Sequence, residues 1–288
     1  VIAQRNWRSE QNYRFETRVL NTPSSSSHEQ ITVTSALRTG EFIAVANRTA
    51  GLFDDLTYDE TDGVKQTHLI FQSLDKSLRS VGASLQDSIK LESYYFGTSR
   101  KEWSPLAMAR ADYFAEPGPP ATAIPYNDIL PYGSKTKVGA LAMRELRNTY
   151  DKYIPREDSW PPRVWDWQLN LPWRQAQKLR GMVWLGGQVP AEPFSNTGKR
   201  MLPGELLPQT RFTMSYVEDL LRPFNCKTSD IKLLVCYFQK SDDENIISKM
   251  LELLRNCCGG VLPPITLIPV PHMQTPDSTV EIWGVVQS

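Results

Sequence analysis

The sequence is poor in the features that mark the simplest functional classes. No apolar run in its 288 residues approaches the ~20 needed to cross a bilayer. Basic and acidic residues are equal in number, at 32 each, so the net positive charge typical of nucleic-acid binders is missing. We therefore expect neither a membrane nor a nucleic-acid partner.

Cysteine and histidine are also scarce. The four cysteines all lie in the second half, at Cys226, Cys236, Cys257 and Cys258. A secreted disulfide framework would need more of them, spread over both halves. The three histidines are far apart, and no His, Cys and Asp cluster has metal-ligand spacing. We expect a cytoplasmic protein with reduced thiols and with neither metal nor cofactor.

One short motif, in contrast, occurs twice. Residues 119–125 read PPATAIP, and residues 263–269, 144 positions later, read PPITLIP. Each copy follows a helix-like segment and a glycine. A repeat of half the chain length predicts two related modules, which we place at residues 1–150 and 151–288.

The pattern of apolar residues predicts one order of elements for both modules. In the first, strands are expected at 13–20, 30–37, 41–46, 88–96, 122–126 and 136–143, and helices at 65–81 and 104–115. The second repeats a strand at 182–188, a helix at 209–224, a strand at 231–238 and a helix at 244–255. Residues 51–62 read as a surface loop, and residues 144–164 as a charged connector. The predicted fold class is α+β.

Several short stretches resemble parts of the pattern that is typical of the RidA (YjgF) family. They are Gly187-Gln188, Gln209-Thr210, residues 82–85 and 89–91, the two copies of the repeated motif, and residues 280–282. Together they span about residues 30–143 and 168–286. The resemblance implies chorismate-mutase-like modules, each a β-sheet with two helices on one face, and a homotrimer. It also implies a small-molecule ligand in a cleft between modules, where the family hydrolyses enamines or imines without metal or cofactor.

The sequence departs from this family at the residue that binds the substrate. In the family's deaminases, an arginine in the repeated strand binds the substrate carboxylate through two charge-assisted hydrogen bonds. The aligned positions here are Ala121 and Ile265. Losing such a buried ion pair costs on the order of 3–5 kcal/mol of recognition. The resemblance therefore implies altered specificity.

One acidic residue keeps its place in the resemblance. Glu281 falls where the family's acidic residue lies, and it is our candidate general acid or base. The corresponding residue of the first module is Lys137, so the two kinds of cleft cannot share one mechanism. The alternative is a strand carboxylate that faces solvent or pairs with a cation.

The remaining candidates are substrate-binding residues, each with a purely structural alternative. Trp173 and Arg174 lie where the family supplies an aromatic pocket cover, and Arg174 is a possible replacement for the missing anchor. Glu92 and Tyr94 share one face of a predicted strand. The hydroxyls of Thr122 and Thr266 could hold a water or a substrate oxygen, or satisfy nearby backbone groups.

Three functions stay open on the sequence alone. The first is a cofactor-independent hydrolase that cleaves a C–N bond in a small metabolite, as a deaminase does. The second is a non-catalytic binding or oligomerisation module, like the paired modules of some diphthine–ammonia ligases. For that reading we expect sequence upstream of Val1, since no initiator Met is present. The third is a chorismate-cleaving relative.

Overall fold

Two β-sheets, each packed against its own pair of helices, make up the fold. The structure is a computed structural model that describes residues 13–21, 30–50, 61–130, 133–146 and 151–288. The predicted loop at 51–62 lies, apart from its last two residues, outside the described residues. The prediction of an α+β fold is confirmed.

The first sheet contains six strands and is covered on one face by two helices. The strands are β1 (Tyr13–Asn21), β2 (Gln30–Thr39), β3 (Phe42–Arg48), β4 (Ser88–Tyr95), β5 (Ala121–Pro125) and β6 (Thr136–Met143), and the helices are α1 (Gly63–Ser80) and α2 (Arg100–Ala111). The strand order is β1-β2-β3-β6-β4-β5, which leaves β5 at one edge. A two-stranded ribbon, β7 (Glu145–Leu146) with β8 (Asp151–Lys152), follows.

The second sheet repeats this topology. Its strands are β9 (Glu157–Ser159), β10 (Ala176–Leu179), β11 (Met182–Leu185), β12 (Ile231–Gln239), β13 (Ile265–Val270) and β14 (Val280–Gln287), and its helices are α3 (Leu206–Leu221) and α4 (Ile246–Cys257). The order β13-β12-β14-β11-β10-β9 matches that of the first sheet read from the β5 edge, with β13 equivalent to β5.

Each helix pair buries the apolar side of its own sheet. In the first core, Phe71 and Leu74 of α1 pack with Leu106 of α2 over strand residues such as Leu91 and Val138. A separate cluster joins the opposite faces of the two sheets, where Tyr94 and Ile124 meet Tyr237 and Trp283. Alternation along β4 therefore sends residues 90, 92 and 94 toward the second sheet.

The predicted elements differ from the observed ones mainly at two places. Helix α2 begins at Arg100, four residues before the predicted start, because Ser99 caps it by accepting a hydrogen bond from the Lys101 N–H at 3.2 Å. Pro105 then lies inside the helix, which forgoes one backbone hydrogen bond there. The predicted connector 144–164 is also not all connector, since β9 pairs with β10 at the edge of the second sheet.

Candidate functional site

A cleft lies where the edge of the first sheet meets the second sheet. After β11, the chain runs beside β5, and the Gly187 N–H donates to the Ala121 carbonyl at 2.9 Å. The cleft encloses about 480 Å³ of space not filled by protein atoms, part of it continuous with solvent. It is lined by Arg100, Trp103, Arg110, Ala121, Thr122, Ala123, Trp165, Trp167, Trp173, Gly187, Val189, Arg200, Gln274 and Glu281. Both sheets thus contribute to one site within a single chain.

Glu281, on β14, is the one acidic residue among these lining residues. Its side chain is only 6% exposed. Burial raises the pKa of its carboxyl to about 7, although Lys90, Arg200 and the Ala123 N–H each act in the opposite direction. A carboxyl with this pKa exchanges its proton near neutral pH, as a general acid or base must.

The position of this carboxylate depends on a glycine. A β-carbon built on Gly187 would overlap the Glu281 Oε1 atom and lie 3.0 Å from the Thr122 hydroxyl. No larger residue fits there unless Glu281 moves. Gly187 therefore lets the chain after β11 pass close to the carboxylate and the hydroxyl together.

Lys90, on β4, is buried behind the cleft wall. Its ammonium group donates to the Thr122 Oγ1 at 2.6 Å and to the Leu185 carbonyl at 3.1 Å, and it lies 4.4 Å from the centre of the Trp283 ring. Burial lowers the pKa of Lys90 to about 7, while the charges of Glu92 and Glu281 oppose that shift.

Three arginines give the cleft its positive charge. Arg110 of α2 is 2% exposed and donates to the Ser93 hydroxyl, and Arg200 is 6% exposed and donates to the Gly198 carbonyl at 2.9 Å. Burial lowers the pKa of each to about 10, so both stay cationic at neutral pH. The Nε atoms of both lack a hydrogen-bond partner among the described residues. Arg100 adds a third, half-buried guanidinium that donates to Gln168.

Tryptophan rings form much of the remaining wall. Trp165 and Trp167 contact edge to face, with ring centres 4.5 Å apart, and Trp173 packs on Phe114 at 5.2 Å. The indole N–H groups of Trp103, Trp165, Trp167 and Trp173 have no acceptor within the described part of the chain. Buried donors without partners are rare, and a ligand that carries acceptor oxygens would satisfy some of them.

The structure brings some of the predicted site residues together. Glu281, Thr122, Ala121 and Trp173 all line the cleft. Glu92 and Tyr94 lie outside it, in the interface between the sheets. There Tyr237 donates to Glu92, and the hydroxyls of Tyr94 and Tyr237 are 2.7 Å apart.

Three other predicted residues lie elsewhere. Arg174 is not among the lining residues; its guanidinium pairs with Asp158 at 3.2 Å and with Glu116 at 3.8 Å. Ile265 and Thr266 are on β13, at the far edge of the second sheet, and the Thr266 side chain is exposed.

The missing arginine of the repeated motif does not leave the cleft without cations. Arg110 comes from a helix and Arg200 from a loop, so neither aligns with Ala121 or Ile265. The sequence carries one signal for Arg110. It continues the buried face of α2 formed by Trp103, Leu106 and Ala107, and a cation at a core-facing position is unusual. Nothing comparable marks Arg200 or Gln274.

The described residues contain neither a metal-ligand cluster nor a membrane-spanning helix. No group of three or more His, Cys, Asp or Glu side chains there is placed to hold a metal ion. None of the helices in these ranges combines the length and apolar character needed to cross a membrane.

Comparison with solved structures places this fold beside that of a chorismatase. The chorismatase crystal structure aligns with 89% of this chain and 76% of its own, with a TM-score of 0.58 and 16% identity. At that identity, the similarity shows a shared fold. No protein-family model matches the sequence, and no curated protein sequence matches it significantly.

Members of the RidA family align with about half of the chain. The Rid-family protein YyfA from Yersinia pestis covers 46% of this chain and 100% of its own, at 17% identity and a TM-score of 0.40. The YjgF gene product of E. coli covers 46% of this chain and 98% of its own, at 18% identity and a TM-score of 0.38.

Proposed function

We propose that this protein is a cofactor-independent hydrolase built from two RidA-like modules, in which Glu281 protonates the carbon–carbon double bond of a small anionic substrate. The observation that carries the proposal is the buried carboxyl of Glu281, which shares one cleft with three guanidinium groups. An acid in this setting transfers a proton to a substrate that the arginines hold by its negative charge.

Enamines and enol ethers are the substrate classes that fit this acid. Glu281 would give its proton to the terminal carbon of the C=C bond, and the electrons on nitrogen or oxygen would form a C=N⁺ or C=O⁺ cation. Water then adds to the cationic carbon, and the Glu281 carboxylate accepts the proton that the water loses. Collapse of this adduct moves the hydroxyl proton to the leaving group and releases a ketone with ammonia or an alcohol.

Of the two classes, we favour an enol ether that bears two carboxylates. The spread of Arg100, Arg110 and Arg200 around the cleft provides separate cations for more than one acidic group. Indole N–H groups that have no acceptor among the described residues offer further donors for carboxylate oxygens. Because a solved structure that shares this fold over 89% of the chain is a chorismatase, chorismate is the first substrate to test.

The test is a turnover assay with both substrate classes. Chorismate hydrolysis is followed through pyruvate, with lactate dehydrogenase and NADH as the detection system. Enamine hydrolysis is followed with 2-aminoacrylate, generated from serine by a separate dehydratase, as a loss of semicarbazide trapping. We expect pyruvate from chorismate and little acceleration of enamine hydrolysis.

Other results would change the proposal in defined ways. Acceleration with the enamine alone would assign deaminase activity to the same acid. Absence of turnover in both assays, with chorismate binding detected by calorimetry, would favour the binding-module alternative. Full activity in a Glu281→Gln variant would remove Glu281 from the mechanism.

A further inference from the structure

Lys90 makes contacts that none of the catalytic steps described above uses. Its N–H groups are directed to a hydroxyl, a carbonyl and an aromatic ring, those of Thr122, Leu185 and Trp283. Within the described residues, no carboxylate is bonded to it directly, although Lys90 is 2% exposed. A buried ammonium group without an ion pair is costly to the fold, so a role in the site would account for it.

Thr122 connects Lys90 to the cleft. Its hydroxyl oxygen accepts the Lys90 N–H at 2.6 Å, which leaves the Thr122 O–H to be donated elsewhere. The same oxygen and the Glu281 Oε1 atom both lie against Gly187. The ammonium group, the hydroxyl and the carboxyl therefore follow one another from the sheet interior to the cleft.

The second module lacks this arrangement. The strand registers pair Leu91 with Ala121 in the first sheet and Leu234 with Ile265 in the second, so the residue equivalent to Lys90 is Leu233. At this position, a lysine occurs only in the sheet whose edge strand β5 lies beside Glu281. In the second sheet a leucine fills the equivalent position, so packing there does not require a lysine.

We propose that Lys90 is a positioning residue for Glu281, holding the Thr122 hydroxyl in orientation and stabilising the ionised carboxylate that forms when the proton is transferred to substrate. This role rests on the proposed function of Glu281 as an acid. It goes further by naming a residue outside the cleft lining that controls when the acid gives up its proton.

Other charged groups act on Glu281 as well. Arg200 favours its ionised form, and Glu92 on β4 disfavours it. The charge of Glu281 in turn favours the protonated forms of Arg110 on α2 and Tyr95 on β4. Of the cations, Lys90 is almost completely buried and donates directly to Thr122. Removing the Lys90 charge and removing the Thr122 hydroxyl in separate variants therefore distinguishes the effect of charge from that of hydrogen bonding.

The experiment is a titration of Glu281 that needs no substrate. The carboxyl carbons of glutamate are labelled with ¹³C, and the Glu281 signal is assigned as the one missing from Glu281→Gln. Its midpoint is measured in the wild type, in K90M, K90R and T122V, and in K232M as a matched control on an exposed lysine of β12. Methionine suits the buried position because it fills similar volume without a charge.

We expect the Glu281 midpoint to rise by about 1 pH unit or more in K90M, since an opposite charge nearby lowers a carboxyl pKa by roughly 1–3 units. K90R should stay within ~0.5 unit of the wild type, T122V should show a smaller rise, and K232M should show none. An unchanged midpoint in folded K90M would overturn the inference. If K90M does not fold, a Glu281 midpoint in T122V equal to that of the wild type would overturn the inference.

A kinetic readout separates this inference from the proposed function. If the protein hydrolyses chorismate, K90M should lower kcat at least tenfold at pH 7 with little change in KM, because the loss affects proton transfer more than binding. If the titration shifts as expected but no substrate is turned over, Lys90 controls Glu281 and the proposed reaction is wrong. If turnover occurs and K90M leaves both kcat and the midpoint unchanged, the positioning role is wrong.

Discussion

The two copies of the PPxTxIP motif occupy equivalent strands in very different surroundings. On β5, Thr122 is 2% exposed, accepts a hydrogen bond from Lys90 and lies beside Glu281. On β13, Thr266 is exposed to solvent at the edge of the second sheet. The strand registers confirm that the two threonines are equivalent, since Glu92 pairs with Thr122 and Val235 with Thr266.

The residues at equivalent positions of β6 and β14 also differ. Tyr94 pairs with Lys137 in the first sheet, whereas Tyr237 pairs with Glu281 in the second. Because the second sheet covers the β5 edge, Glu281 joins Thr122 in one cleft. Equivalent positions in a repeat therefore need not have equivalent chemistry: the neighbours across the interface decide it.

The largest expected contrast is between Glu281 and its equivalent, Lys137. Glu281→Gln keeps the size of the side chain but removes the acid, so kcat for chorismate hydrolysis should fall by roughly 10²–10⁴-fold. Lys137→Gln, made at the equivalent but half-buried position, should change kcat by less than about threefold. Steady-state kinetics on both purified variants measure the contrast, and equal losses would mean that the two strands contribute alike.

The second-largest expected contrast is between Arg110 on α2 and Arg255 on α4. Arg110→Met removes a buried cation of α2 from the cleft, and kcat/KM should fall by about 10²–10³-fold if it binds a substrate carboxylate. Arg255→Met on α4 removes an exposed cation and serves as the control. Unchanged kcat/KM in the Arg110 variant would show that substrate charge is bound elsewhere.

The two threonines provide a smaller contrast, this time in stability. Thr122→Val leaves the buried Lys90 ammonium without one acceptor, which should lower the free energy of unfolding by about 1–3 kcal/mol. Thr266→Val changes an exposed side chain and should stay within about 0.5 kcal/mol. Urea unfolding at pH 7 measures both, and similar values for the two variants would contradict the difference in environment.

The last contrast concerns the slope of the free energy of unfolding against pH. The Glu281 pKa rises from 4.5 to about 7 on folding, so the folded state binds more protons between these values. Its contribution to stability is complete below pH 4.5 and is lost as pH rises through about 7. Glu281→Gln should remove this part of the slope. Unfolding curves of the wild type and the variant at pH 5, 6, 7 and 8 check it, and parallel slopes would contradict the burial of an ionisable carboxyl.

Much of the fold could be predicted because repeated patterns report local structure. β6 was predicted at its observed bounds, and the two cores contain the apolar residues expected at helical spacing on α1 and α3. Helix α2 was placed four residues too late because Pro105 resembles a residue of a first turn, although Ser99 with Glu102 three residues later is a capping-box pattern. The short β9 was missed because three residues carry too little pattern.

The candidate site could be predicted only in part. Ala121 and Thr122 were found because they lie in the repeated motif, and Glu281 and Trp173 because of their positions in the family resemblance. Arg174 was a plausible anchor, but two carboxylates bind it outside the cleft. Lys90, Arg110 and Arg200 were missed because they come from a strand, a helix and a loop that are distant in sequence and meet only in the folded chain.

By itself, the sequence determined the repeated motif, the fold class and the presence of an acid on the last strand. These follow from local spacing, since alternation and helical periodicity depend only on neighbouring residues. Only the tertiary structure decided that the site forms at the β5 edge and that guanidinium groups surround Glu281. Burial and charge at a site depend on contacts between distant segments, which no local pattern contains.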